Sequence, residues 1–162
     1  VEPLGDEFPL EEMARIYESF NANRPLSHVR SPLCWAKATL IRLQQPERKT
    51  WGAYRGADLV AYVSVMGGKE HWTVDEACCL PGEEDAFPFL FEEVREAGPR
   101  EVEFLLPHDP ALSHVIEAMA GPTTSEERGH TMVRPMPGGL DEAGLRALFA
   151  APGRQHYELD NF

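Results

Sequence analysis

Leu59-Val60-Ala61-Tyr62-Val63-Ser64-Val65-Met66, a turn at Gly67-Gly68, then His71-Trp72-Thr73-Val74-Asp75-Glu76-Ala77-Cys78-Cys79, is the stretch that decides the fold. Both runs are rich in β-branched and aromatic residues and are bounded by glycine, the pattern of strands joined by a tight turn. The first run is almost continuously apolar, so both of its faces need cover. Thr50 to Arg55 reads as a third strand, reached across the turn Gly56-Ala57-Asp58. Three strands with short turns imply an antiparallel meander.

The period changes on either side. Upstream, Leu10, Met13, Ile16, Tyr17 and Phe20 recur at three- and four-residue spacing, which predicts a helix from Leu10 to about Asn21. A second helix is expected from Pro32 to Leu43, with Ser31 as N-cap, Pro32 at the tolerated first position, and Trp35, Leu40 and Leu43 on its buried side. Downstream, Phe87, Leu90, Phe91 and Val94 predict a helix over 83–97, ended by Gly98-Pro99. Glu101 to Leu106 is a further strand, so strand, helix and strand make a crossover unit whose strands lie parallel. A helix from Asp109 to about Met119, a short strand Thr131 to Arg134, and an amphipathic helix over 141–150 complete the expectation. The fold class is α/β in the broad sense (α+β), a mixed central sheet with helices on both faces. Residues 1–9 read as a lead-in, 10–136 as the domain, and 137–162 as a C-terminal helix and tail.

The 162 residues are 43% apolar and 26% charged, as in a globular domain that folds without disulfides or metal. The net charge of −12 repels phosphate backbones, so neither nucleic acid nor an anionic membrane is expected as a partner; a small amine suits that field. No apolar run approaches the roughly 18–20 residues of a membrane span. Three cysteines, two of them adjacent, fit a reducing, cytoplasmic setting, and Cys78 and Cys79 are expected as core residues on opposite faces of a strand. No metal is expected, because His108 and His114 lack the close partner spacing of zinc motifs. Nucleophile elbows, P-loops and dinucleotide fingerprints are absent.

The order of elements over about residues 8–136 resembles the GNAT N-acetyltransferases. Gly52 to Val63 is similar to the second and third strands of that family, where a run like G-x-L-V-G-Y crosses the turn. Pro107 to Gly121 resembles its later helix ending at a glycine, and His130 to Arg134 its closing strand. Arg30-Ser-Pro-Leu-Cys-Trp35 is similar to the Arg and Trp ahead of the second helix in tandem GNAT proteins, the enhanced-intracellular-survival type among them.

The resemblance implies a V-shaped cleft beside the third meander strand. In active members it holds acetyl-CoA, whose pyrophosphate sits on a loop of the form Arg/Gln-x-x-Gly-x-Gly/Ala at a helix start. Here the matching loop, Leu80 to Ala86, has one glycine, no basic residue, and Glu83, Glu84 and Asp85 at the helix start. Those carboxylates suit the helix dipole and oppose a pyrophosphate. The tyrosine that often protonates the leaving thiolate is also missing: its position falls on Glu117, with His114 the nearest group in that helix able to give a proton. No cofactor is therefore expected in this chain, and acetyl-CoA only if the domain is active.

Asp75 and Glu76 lie where a general base would be sought. Strict alternation puts Trp72, Val74, Glu76 and Cys78 on one face and Asp75 on the other, which favours Glu76 as the catalytic candidate. In an active domain the backbone of Cys78, Cys79 and Leu80 would hold the acyl-CoA. Arg30, Trp35 and Trp72 are the candidate substrate contacts; fixing the helix entry is the competing reading for Arg30 and Trp35, and core packing for Trp72. The chain opens at Val1-Glu2-Pro3 without a methionine. Together with the altered loop, this leads to the expectation of a degenerate half of a tandem protein, whose partner is a preceding GNAT domain of the same chain. The alternatives are an active N-acetyltransferase and a protein-interaction module with an exposed sheet edge.

Overall fold

Strands Arg48–Arg55 (β2), Asp58–Gly67 (β3) and His71–Cys79 (β4) pair antiparallel, and a two-residue strand, Glu2–Pro3 (β1), adds to the free edge of β2. The structure is a computed structural model and describes residues 1–4, 9–22, 24, 29–106 and 109–120, with 141, 143, 144 and 147 further on. The strand expected at Thr131 to Arg134, most of the helix expected over 141–150, and the tail lie outside the described residues.

β3 is buried without a break from Leu59 to Val65, which is what its continuous apolar run demands. Its two sides face two layers. Leu59 and Tyr62 meet Met13, Ile16 and Tyr17 of the helix Leu10–Asn21 (α1) and Trp35 of the helix Pro32–Gln44 (α2). Val63 and Val65 meet Phe87, Leu90, Phe91 and Val94 of the helix Phe87–Glu96 (α3). Cys78 belongs to the first layer and Cys79 to the second, so the adjacent cysteines are core residues of opposite faces. Strand Glu101–Phe104 (β5) then pairs parallel with β4, and helix Pro110–Ala120 (α4) follows. The sheet order is β1-β2-β3-β4-β5.

Local chemistry sets the ends. The Cys34 amide donates to Ser31 Oγ at 3.3 Å, the expected N-cap of α2. Asp109 Oδ1 accepts from the Ala111 and Leu112 amides at 2.9 and 3.1 Å and caps α4. The helix expected over 83–97 splits into a 3₁₀ turn, Glu84–Ala86, and α3 proper. On α2, Trp35 is buried but Leu40 is 57% exposed, against expectation. At 3.6 residues per turn the two positions lie about 140° apart, so one narrow face cannot bury both. The Leu43 side chain lies outside what is described. β5 is shorter than expected: its last bond to the sheet runs from the Leu105 amide to Val74 O, 2.8 Å, just before an irregularity in β4.

Candidate functional site

That irregularity is a β-bulge. Ser64 pairs with Glu76 and Val65 with Val74, so Asp75 is an extra residue in β4. The two-residue alternation restarts after it. Trp72 and Val74 lie in the α3 layer, whereas Glu76 and Cys78 turn to the α1–α2 layer. The expected face shared by Trp72 and Glu76 is therefore corrected, and so is the separation of Asp75 from Glu76. Both carboxylates reach toward the same side, each to its own arginine. Arg48 Nη1 sits 2.5 Å from Asp75 Oδ2 and 3.3 Å from Ser64 Oγ, on the side of β3 to which Tyr62 also points.

Glu76 is fully buried. Its Oε2 accepts from Arg30 Nη2 at 2.5 Å and its Oε1 from the Tyr62 hydroxyl at 2.7 Å. The Arg30 guanidinium lies over the Tyr17 ring at 3.9 Å and 5.0 Å from the Trp35 ring. Tyr17 and Trp35 meet edge to face at 5.5 Å. Burial, and then the neighbouring Cys78 and Glu76, push the Tyr62 phenol well above its ordinary pKa, so it stays a hydrogen-bond donor. Arg30, Trp35 and Glu76 are thus brought together, around an ion pair wrapped in aromatic rings. As placed, Glu76 has no exposed surface on which to meet an amine. Trp72 lies apart from them. Its ring packs on Trp51 at 5.9 Å, its Nε1 donates to Gly68 O at 2.7 Å, and Lys49 Nζ sits 4.5 Å from its centroid.

Beyond Val74 the strands part. The Leu80 amide turns to Val60 O on β3, so alternation turns the backbone groups of Ala77 and Cys79 the other way, toward the side β5 has left. Phe20, Leu80 and Leu106 pack against both core layers at this end. Arg24 covers Phe20 at 3.4 Å and forms an ion pair with Asp109, the cap of α4. The Cys79 thiol is pushed up to about 12 by burial first and by the charge of Glu84 second; Arg24 and Asp109 also act on it. The end of β4 beyond its pairing with β5 is therefore surrounded by this chain's own aromatic, aliphatic and charged side chains.

The loop after β4 is held in the same manner. Gly82 adopts φ +84°, open to glycine without strain, and its amide donates to Glu84 Oε1 at 3.2 Å. Arg55, the last residue of β2, reaches Glu83 at 2.8 Å and Asp85 at 2.6 Å. These contacts hold its guanidinium above its ordinary pKa, the Glu83 bond contributing most. Sequence reading of the loop missed Arg55 because it lies outside the loop. The available signal was register: pairing Ala61 with Cys79 brings the hairpin tip beside the end of β4. His114 and Glu117 lie exposed on α4, and among the described residues no cluster of three or more His, Cys, Asp or Glu could hold a metal ion. No described helix is long and apolar enough to cross a membrane.

No protein-family model matches the chain, and no curated protein matches it. Solved structures do. The aminoglycoside antibiotic 6'-N-acetyltransferase AAC(6')-Ih from Acinetobacter baumannii superposes with a TM-score of 0.58, at 12% identity over 83% of this chain and 97% of that one. Ribosomal-protein-alanine N-acetyltransferase from Brucella melitensis biovar Abortus 2308 gives 0.53, at 16% identity over 82% and 96%. AAC(6')-Iy, in complex with the bisubstrate analog CoA-S-monomethyl-acetylneamine, gives 0.56, at 10% identity over 83% and 97%. At such identities the likeness establishes the fold: this chain has the fold of the GNAT acetyltransferases.

Proposed function

We propose that this domain is a degenerate half of a tandem N-acetyltransferase, a GNAT fold that supports a catalytic GNAT domain preceding it in the same chain. One observation carries the reading. Where the fold would bind a pyrophosphate, the Gly82 amide is taken by Glu84, and Glu83 and Asp85 engage the nearest arginine. A pyrophosphate there would displace one carboxylate and sit beside two more. Arg55 offsets part of that repulsion, so each such approach at about 4 Å costs at most a few kcal/mol at an effective dielectric near 20. The residues present do not fit the phosphates of acetyl-CoA. Arg30, Glu76 and Tyr62 then stiffen the sheet against α1 and α2 and do no chemistry.

The alternative is an active enzyme that holds acyl-CoA by the backbone of Cys78, Cys79 and Leu80, with Glu76 as base and a small amine as substrate. The parting of β4 from β5 after Val74 favours it. Thermal melting separates the two. Acetyl-CoA at about 1 mM is expected to leave Tm unchanged to within about a degree. A ligand at a hundred times its Kd stabilises by about 2.7 kcal/mol, so a rise of several degrees would overturn the first reading. In the longer protein, deleting this domain is expected to abolish acetyl transfer; an unchanged enzyme would argue against the supporting role.

A further inference from the structure

Among the described residues, the outer side of α2 presents exposed apolar side chains. Six large hydrophobic residues are exposed among those described, and three belong to this segment: Val29 at 89%, Leu33 at 66% and Leu40 at 57%. Leu33 and Leu40 stand two turns apart, about 10 Å along the axis, on one side of the helix. Ala36 and Lys37, also exposed, lie between them. Trp35 fills the opposite side. A helix apolar on both sides is one covered on both sides. The segment 29–44 also contains no Asp or Glu, in a chain with 27 acidic and 15 basic residues. It is a place where an acidic apolar segment can settle without repulsion.

The chain carries such a segment. Residues 141–150 read Asp-Glu-Ala-Gly-Leu-Arg-Ala-Leu-Phe-Ala, with Leu145, Leu148 and Phe149 at helical spacing behind two acids. Asp141 Oδ1 accepts from the Gly144 amide at 2.8 Å, the N-cap of a helix start. Ten residues are too few to hold a helix in water alone, so this one needs a face to pack on. The stretch 121–140 can extend to roughly 65 Å at about 3.3 Å per residue, ample to bring Asp141 to α2.

We propose that the segment 141–150 docks, within the same chain, on α2 across Leu33 and Leu40, with its leading carboxylates toward Lys37. Hydrogen exchange on the full chain tests this. Amides of 142–150 are expected to exchange at least about tenfold slower than an unfolded segment, and to lose that protection in L33E/L40E while β3 and β4 keep theirs. The reciprocal variant L145E/L148E should speed exchange in α2 by a similar factor, and it decides the matter if L33E/L40E fails to fold. The proposal falls if 142–150 exchanges freely in the native chain, or if its protection survives L33E/L40E. It also falls if the protection disappears on dilution from about 100 µM to about 1 µM, which would place a second copy on α2.

Discussion

Glu76 shows how much one side chain's surroundings decide its work. A carboxylate on β4 of this fold invites a catalytic reading, yet here both oxygens are held by Arg30 and Tyr62 inside the core. Breaking such a pair from one side strands a buried charge. Arg30→Met is expected to cost about 3–5 kcal/mol in urea unfolding, and the double change R30M/E76L to recover most of it, because two apolar groups need no partner. Cys79 gives a pH prediction. Its pKa is raised from 9 to about 12, so the unfolded thiol ionises first. Its contribution is complete below pH 9 and is lost as pH rises toward 12. Stability should therefore fall above pH 9, less steeply in Cys79→Ala. At pH 8 a thiol reagent should label the half-buried Cys34 first and reach Cys78 and Cys79 only on unfolding. From sequence Glu76 is a candidate base; the ion pair it forms is not legible there. Arg30 lies 46 residues away, and no local pattern reports that distance.

The elements themselves were largely legible. α1, β3 and β4 stand where glycine, asparagine and the change of period put them, because those signals are local. The misses differ in kind. Leu40 was assigned to the core on apolar character alone, and the bulge in β4 has no composition to announce it. Glycines at close approaches carry the clearest tests at this scale. A Cβ on Gly67 would lie 2.1 Å from Trp72 Cδ1 and 2.8 Å from His71 O. Gly67→Ala should cost about 1–3 kcal/mol, with a shift in Trp72 fluorescence reporting the displaced ring. At Gly52 the same atom would meet Leu59 at 2.6 Å and Leu4 at 2.9 Å. Gly52→Ala should therefore loosen β1 from β2, seen as faster amide exchange at Leu4, whose N–H bonds Thr50 O at 2.8 Å.

At the scale of the whole molecule, charge matters most. A net −12 on 162 residues is self-repulsive, and screening should relieve it. Raising NaCl from about 0.01 M to about 0.15 M shortens the Debye length from roughly 30 to 8 Å and is expected to raise Tm by a few degrees. A Tm that falls would show that the exposed ion pairs, those of Arg55 among them, outweigh the repulsion. The fold was readable at this scale because a meander, a crossover helix and a parallel strand leave few arrangements open. Function was less so, since one fold hosts many chemistries and the loop Leu80 to Ala86 carries no motif that names one.

The extra residue in β4 has one more consequence. Asp75 behaves like a parity bit: each side of it keeps the two-beat rhythm of a strand, and the single added residue hands everything downstream to the opposite layer. Losing that one codon would leave every neighbouring letter intact, yet send Glu76 and Cys78 toward α3 and strand Arg30 without its carboxylate.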